Sequence, residues 1–368
     1  MSFTSDSAPS GKIRVLVVDD SAVMRQAMTA ILSSEPDLEV STAIDPLIAM
    51  DKMKRWRPDV IVLDLEMPRM NGIEFLRKIM AEDPLPVIVC SALTTDGSDV
   101  ALEALEAGAV EIVSKPRLDV REFVEESAVM IGDAIRAAAR ASQSRLRRPS
   151  ARPVDSSAVR PAARTIAPAA AGTVIALGAS TGGTEALRVL LESLPVETPG
   201  VVIVQHMPPV FTSAFAARLN STCAIEVLEA RDGDEVCPGR ALVAPGSRHV
   251  RLRRRRLGYS VEVFDGPLVS RHRPSVDVLF QSVAEEAGAR AAGALLTGMG
   301  DDGALGLLAM RRAGALTIAQ DEATCVVFGM PAKAIAHGAA MYVLALRDIA
   351  PALMDHFGCE PSRADVSG

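Results

Sequence analysis

Aromatic residues make up only 3% of this 368-residue chain, with a single tryptophan and two tyrosines. Its 49% hydrophobic content is carried instead by Ala, Val, Leu, Ile and Met in short runs. That composition argues against an all-β sandwich and for parallel α/β sheets. Cysteines are few, odd in number and scattered, at Cys90, Cys223, Cys237, Cys325 and Cys359. With no CxxC pair they offer neither a disulfide framework nor a zinc or redox couple, and reduced thiols are expected. No segment reaches the roughly 20 apolar residues that span a bilayer, and the start MSFTSDSAPSGK lacks the apolar stretch of a signal peptide. The expectation is a cytoplasmic protein without membrane insertion. A strongly basic balance is also missing: the formal net charge is −7 and the pI about 5.4, which excludes nucleic acid as the main partner. The one dense basic cluster runs from Arg251 to Arg256, with Arg253, Arg254, Arg255 and Arg256 consecutive. It reads as a solvated hairpin or edge strand.

What the chain does have is a regular alternation of apolar runs and amphipathic stretches, the signature of βα units. Strands are expected at Ile13–Val18, Leu38–Thr42, Val60–Leu63, Pro86–Ser91 and Glu111–Ser114, with helices near 22–33, 46–56, 72–81, 98–107 and after Asp119. These form a (βα)5 domain over 12–141 behind a disordered polar lead of residues 1–11. From 142 to 172 the sequence turns rich in Pro, Arg, Ser and Ala and loses its periodicity, as a linker does. A flexible stretch of about 30 residues spans roughly 30 Å, enough for two domains to dock or part. A second α/β alternation fills 173–357, with parallel strands at Val174–Leu177, Val201–Gln205, Ala292–Leu296 and Thr317–Gln320. A β-rich insert at Ile225–Phe264 interrupts it, and residues 358–368 form a tail. The second domain is expected to be doubly wound and mostly parallel.

In the first domain, Asp19 and Asp20 follow strand one, Asp64 follows strand three and Lys115 follows strand five. All lie at the carboxyl ends of strands, where open parallel sheets hold their ligands. Converging carboxylates make a hard oxygen site suited to Mg2+, which leaves room for phosphate oxygens. An aspartate beside such an ion is a nucleophile for a phosphoryl group, and Ser91 could offer it a hydroxyl. Taken singly, Asp20 or Ser21 reads as a turn residue or helix cap.

In the second domain, the strand TVIALG runs into Gly178-Ala179-Ser180-Thr181-Gly182-Gly183 and then a helix. This is G-x-S-x-G at a strand-turn-helix junction, which lifts a serine out of the sheet as a nucleophile. The Thr181 amide points where an oxyanion would form, and an amide near Met299 is a second candidate donor. A dinucleotide cradle fits less well, because the spacing is not G-x-G-x-x-G and strand two ends in Gln205-His206. His206 stands at the same sheet edge as Ser180, as a general base must. A third strand ends in Thr297-Gly298-Met299-Gly300-Asp301-Asp302-Gly303, where Asp301 or Asp302 could orient the imidazole. His272 reads as a residue lining the substrate groove, and Met207 and Met299 as packing.

Four segments, IRVLVVDDSAVMRQAM, DVIVLDLEMPRMNGIEFL, VIVCSA and IVSKP, strongly resemble the response-regulator receiver family across the first third of the chain. The resemblance implies a flavodoxin-like receiver with Asp64 as phosphoacceptor. It also implies Mg2+ held by Asp19, Asp20, Asp64 and the Glu66 backbone carbonyl, and phosphoryl contacts from Ser91 and Lys115. The chain departs from it at Ile112, where receivers often carry an aromatic ring. GASTGG, VQHMPPVFTSAFAARL, HRPSVDVLF and LTGMGDDG resemble the catalytic domain of chemotaxis protein-glutamate methylesterases. That resemblance implies Ser180 as nucleophile, His206 as base and Asp302 as orienting acid. Thr181 and Met299 would supply the oxyanion hole, and ester hydrolysis would need no cofactor. The implied partners are methyl-accepting chemoreceptors as substrate and a chemotaxis histidine kinase as phosphodonor, acting on a monomer with interdomain docking. Two rival readings are a receiver-controlled hydrolase of another ester and a non-catalytic, phosphorylation-controlled binding module. The second lacks support, because no helix-turn-helix signature accompanies the output domain.

Overall fold

The computed structural model describes residues 11–67, 71–91, 95–116, 121–141 and 172–358, with only the backbone given for 95–98 and 121–128. The expected lead, the linker before Gly172 and the tail beyond Gly358 lie outside the described residues. The chain divides into two compact units, Met1–Arg148 and Pro149–Gly368.

The first unit holds five strands, β1 (Ile13–Val18), β2 (Leu38–Ala43), β3 (Val60–Leu63), β4 (Val87–Ser91) and β5 (Glu111–Ser114). Its helices are α1 (Ala22–Ser33), α2 (Pro46–Met53), α3 (Gly72–Glu82), α4 (Thr95–Glu106) and α5 (Arg121–Ala139). Strands β3 and β4 are buried at every position, which is why they read as unbroken apolar runs. Ser21, Asp45 and Asn71 cap α1, α2 and α3, each accepting a backbone N–H of the first turn. The sheet is parallel in the order β2-β1-β3-β4-β5. Strand order reverses at β1 and β3, whose ends align as Val18 against Leu63. The residues that follow, Asp19 and Asp64, therefore meet at the switch point.

In the second unit, β6 (Val174–Ala179), β7 (Gly200–Gln205), β13 (Ala291–Leu295) and β14 (Leu316–Gln320) are the expected parallel strands. Strands β8 (Glu226–Glu229), β9 (Glu235–Val236), β10 (Arg240–Val243), β11 (His249–Arg254) and β12 (Tyr259–Phe264) come from the segment read as an insert. Only β9, β11 and β12 form a separate antiparallel sheet. The other two, with the edge strand β15 (Tyr342–Leu344), extend the main sheet to seven strands, β15-β14-β13-β6-β7-β10-β8. The expected insert is thus partly a continuation of the parallel sheet. Its strands escape sequence patterning because β8 lies at an edge and alternates exposed and covered positions.

Among the described residues of this unit the α-helices are α6 (Gly183–Glu192), α7 (Pro209–Thr222), α8 (Val276–Glu286), α9 (Ala304–Arg312), α10 (Met330–Ala336) and α11 (Leu346–Phe357). The arginine cluster lies on the β11–β12 hairpin, as expected. Arg251 and Arg253 share Glu262, and Arg255 donates to the Ser260 hydroxyl at 2.7 Å. The two guanidiniums hold the Glu262 carboxyl down at about 2.

Candidate active site

At the switch point of the first unit, oxygens of Asp19, Asp20 and Asp64 lie within 4.8 Å of one another. Asp19 and Asp64 are buried and Asp20 is exposed. Lys115 Nζ approaches Asp64 Oδ2 at 2.6 Å and Asp19 Oδ2 at 3.2 Å. Burial raises the Asp64 carboxyl above its usual range and the neighbouring Asp19 adds to this, while the Lys115 ammonium opposes it. Burial also works against the charge on Lys115, but the bond to Asp64 and both carboxylates outweigh it, so its pKa is raised. One ammonium therefore faces clustered carboxylates of greater total charge, a hard oxygen donor set that fits Mg2+. Ser91 is buried at the end of β4, and its carbonyl accepts the Lys115 N–H at 2.9 Å. The Glu66 N–H donates to Asp64 Oδ1 at 3.2 Å while its side chain stays exposed. Ile112 is buried and aliphatic, so no ring switch operates there.

In the second unit the sequence-predicted residues gather at the carboxyl ends of β6, β7 and β13. Ala179 pairs with Gln205 in the β6–β7 register, and the His206 N–H donates to the Ala179 carbonyl at 3.1 Å. Ser180 and His206 are thus one step past paired positions on strands that run about 4.8 Å apart. Gln205 Nε2 ties them further, donating to the carbonyls of Ser180 at 2.9 Å and His206 at 3.1 Å. Gly183 leaves room for this amide: a Cβ there would collide with Gln205 Oε1. Gly182 takes φ +74°, and a side chain on it would meet Val326 at 2.5 Å.

Asp302, not Asp301, reaches the imidazole. Its Oδ2 lies 2.8 Å from His206 Nε2, and it is fully buried whereas Asp301 is exposed. A carboxylate only accepts, so Nε2 carries a hydrogen, and in the neutral ring Nδ1 is the nitrogen with the lone pair. Nδ1 is buried without a hydrogen-bond partner. Ser180 Oγ is therefore not bonded to it in this state, and catalytic hydrogen bonds often tighten only with substrate.

Asp302 is held by residues that sequence reasoning missed. Ser275 Oγ donates to its Oδ1 at 2.7 Å, Val276 N–H to Oδ2 at 2.7 Å and Asp277 N–H to Oδ1 at 3.0 Å. The N-terminus of α8 thus cradles the carboxylate, where free amides and the helix dipole favour negative charge. Burial pushes the Asp302 carboxyl up, but the imidazole and these amides outweigh it and its pKa is lowered. The available signal was Ser275 in HRPSVDVLF, a helix N-cap that also accepts from Val278 N–H at 3.4 Å. Asp277 is pushed up to about 6, first by burial, while it accepts the Gly306 N–H at 2.7 Å and so fixes the start of α9.

The third strand end approaches Ser180 closely. A Cβ on Gly298 would meet Ser180 Cβ at 2.7 Å, and the Gly298 carbonyl accepts from Gly329 and Met330. This fixes the peptide that leads into Met299. Among the described residues no hydrogen bond takes the Met299 N–H. Thr181 is buried beside the nucleophile. His206, His272 and Asp302 could suggest a metal site by residue type. The two rings, however, lie 7° from parallel with centroids 3.7 Å apart. Stacked in that way, they cannot both aim an in-plane lone pair at one ion about 2.1 Å away.

A CheB methylesterase family model matches residues 175–353, and a response regulator receiver domain model matches 15–126. Over 93% of its length the chain is 58% identical to the protein-glutamate methylesterase/protein-glutamine glutaminase 1 of Anaeromyxobacter dehalogenans, covering 98% of that protein. The chain belongs to the protein-glutamate methylesterase/protein-glutamine glutaminase family. A family member from Geobacter metallireducens is 56% identical across 92% of this chain and 97% of its own. The crystal structure of the Thermotoga maritima CheB methylesterase catalytic domain shares 39% identity, covering 50% of this chain and 98% of that one at a TM-score of 0.49. Within this receiver-linked methylesterase family, both constellations described above fall inside the matched segments.

Proposed function

We propose that this chain removes methyl groups from glutamate γ-methyl esters of chemoreceptors, releasing methanol, and deamidates receptor glutamines at the same site. The observation that carries this reading is the buried Asp302–His206 pair on the sheet edge that also presents Ser180. His206 Nδ1 takes the Ser180 hydroxyl proton as Oγ attacks the γ-carbonyl carbon. The oxyanion rests against the amides of Thr181 and Met299. Collapse breaks the C–O bond to the methoxy group, which leaves as methanol with the proton from His206. Water then gives a proton to His206, attacks the acyl group and frees the glutamate, and Ser180 recovers its proton. With glutamine the first leaving group is ammonia.

The receiver governs this activity through Asp64. When bound by Asp19, Asp20, Asp64 and the Glu66 carbonyl, Mg2+ would neutralise phosphoryl oxygens during transfer from a chemotaxis histidine kinase. Ser91 and Lys115 contact the transferred group. A small-molecule phosphodonor with Mg2+ is expected to label Asp64, and Asp64→Asn to take up nothing. Recovery of the phosphoryl group on another residue by mass spectrometry would contradict the receiver assignment. Phosphorylation is expected to raise methanol release by about 5- to 150-fold, the range of ordinary coupling energies. A chain starting at Gly172 should exceed the unphosphorylated full chain and ignore the phosphodonor. If it proved no faster, the receiver would be an activator rather than a restraint.

A further inference from the structure

His272 sits face to face with the candidate base, at the end of a two-residue turn. Ser270 and Arg271 both adopt left-handed φ, 48° and 65°, although neither is glycine. Two such residues in succession persist only where the surroundings impose them, and they cluster at functional sites. Reciprocal bonds close the turn, Val269 N–H to the His272 carbonyl at 3.1 Å and His272 N–H to the Val269 carbonyl at 2.9 Å. Within the turn, His272 Nδ1 lies 2.6 Å from the Ser270 carbonyl. A carbonyl only accepts, so Nδ1 carries the hydrogen and the ring orientation is fixed.

We propose that His272 is a positioning residue for ester hydrolysis: its ring face sets the plane of the His206 imidazole and stabilises the imidazolium formed when Ser180 loses its proton. This rests on the reading of His206 as the base. The centroid distance of 3.7 Å puts the His206 ring directly over the π face of its neighbour. A cation over a neutral aromatic face is attracted, most strongly where water is excluded. A charged neighbour would oppose the same step.

The groups around His272 pull its charge state in both directions. His206 covers one face, an Asp302 oxygen lies within 4.8 Å of a His272 ring nitrogen, Arg271 belongs to its own turn, and Ser270 Oγ reaches Asp277 at 3.4 Å. Burial, then His206, and more weakly Arg271, depress its proton affinity to about 3, while Asp302 and the Ser270 carbonyl oppose them. Both leading effects favour the uncharged ring.

The test uses the full-length chain with a phosphodonor, on methyl-labelled receptor membranes, and measures kcat, KM and the pH profile. His272→Ala is expected to lower kcat about 10-fold with KM unchanged, and to move the acid limb of kcat/KM down by about half a pH unit. His272→Phe keeps an aromatic face without a titrating nitrogen, and is expected to restore most of kcat and return the limb. His272→Phe no better than His272→Ala, in chains with wild-type melting temperatures, would overturn the proposal. So would a rise in KM alone with an unmoved pH profile, which would make His272 a lining of the substrate groove. If His272→Ala did not fold, His272→Phe alone would decide, and less than about a tenth of wild-type kcat would count against stacking. His206→Ala is assayed beside them: activity that survives it removes the triad reading itself, a failure distinct from that of His272.

Discussion

Ser180→Ala should reduce methanol release by up to about a millionfold, the loss seen when a serine-protease nucleophile is removed. The size follows from the chemistry, since without Oγ no acyl-enzyme forms and only binding and oxyanion stabilisation remain. His206→Ala should cost about as much, because nucleophile and base act as one unit and their losses do not add. The fold should survive Ser180→Ala. What anchors this residue is its backbone, with its N–H on the Thr297 carbonyl at 3.0 Å and its carbonyl on Gln205 Nε2 at 2.9 Å. Substantial turnover by a folded Ser180→Ala chain, free of contaminating hydrolase, would end the nucleophile assignment.

Asp302→Asn should lower kcat by about 10⁴-fold, as removal of the acceptor charge does in serine proteases. Geometry makes the replacement worse than neutral. Oδ1 accepts from Ser275 and Asp277, and Oδ2 accepts from His206 and Val276. Whichever way the carboxamide turns, its NH2 faces two donors in a site closed to water. Loss of stability of about 1–3 kcal/mol should accompany the loss of rate, since buried donors are left unpaired. Asp301→Asn, at an exposed position, should change kcat by less than about twofold. Steady-state kinetics of the two variants decide the matter, and the reverse ranking would show that the neighbouring aspartate is the working one.

Much of this was legible in the sequence, for a physical reason. Central parallel strands are buried on both faces, so β3, β6 and β7 stand out as apolar runs whose carboxyl ends can be located to a residue. Ligand sites of open sheets form at those ends, which is how Asp19, Asp64, Ser180 and His206 could be named without coordinates. Strands β8, β10 and β15 were not separable, being three or four residues long and lying at or near the sheet edges. The support of the site was less legible still. Ser275 and the amides after it reach Asp302 across 25 to 27 positions, and His206 meets Asp302 across 96. No local pattern encodes such contacts. The stacking of His272 on His206 depends on two left-handed residues, Ser270 and Arg271, whose types do not announce that conformation. Choosing Asp302 over Asp301 needed the family resemblance at the level of sequence, whereas in the structure burial and one 2.8 Å contact separate them.

Ser180 is expected to turn over receptor methyl esters under control of Asp64. This is tested most directly by incubating the full-length chain with receptor membranes carrying labelled methyl groups and measuring volatile methanol, with and without a phosphodonor. Release should rise with the donor, stay at the unstimulated level in Asp64→Asn and vanish in Ser180→Ala. Label that remained on the membranes with active phosphorylated chain, while a generic ester was hydrolysed, would contradict this expectation and show a receiver-linked hydrolase with another substrate.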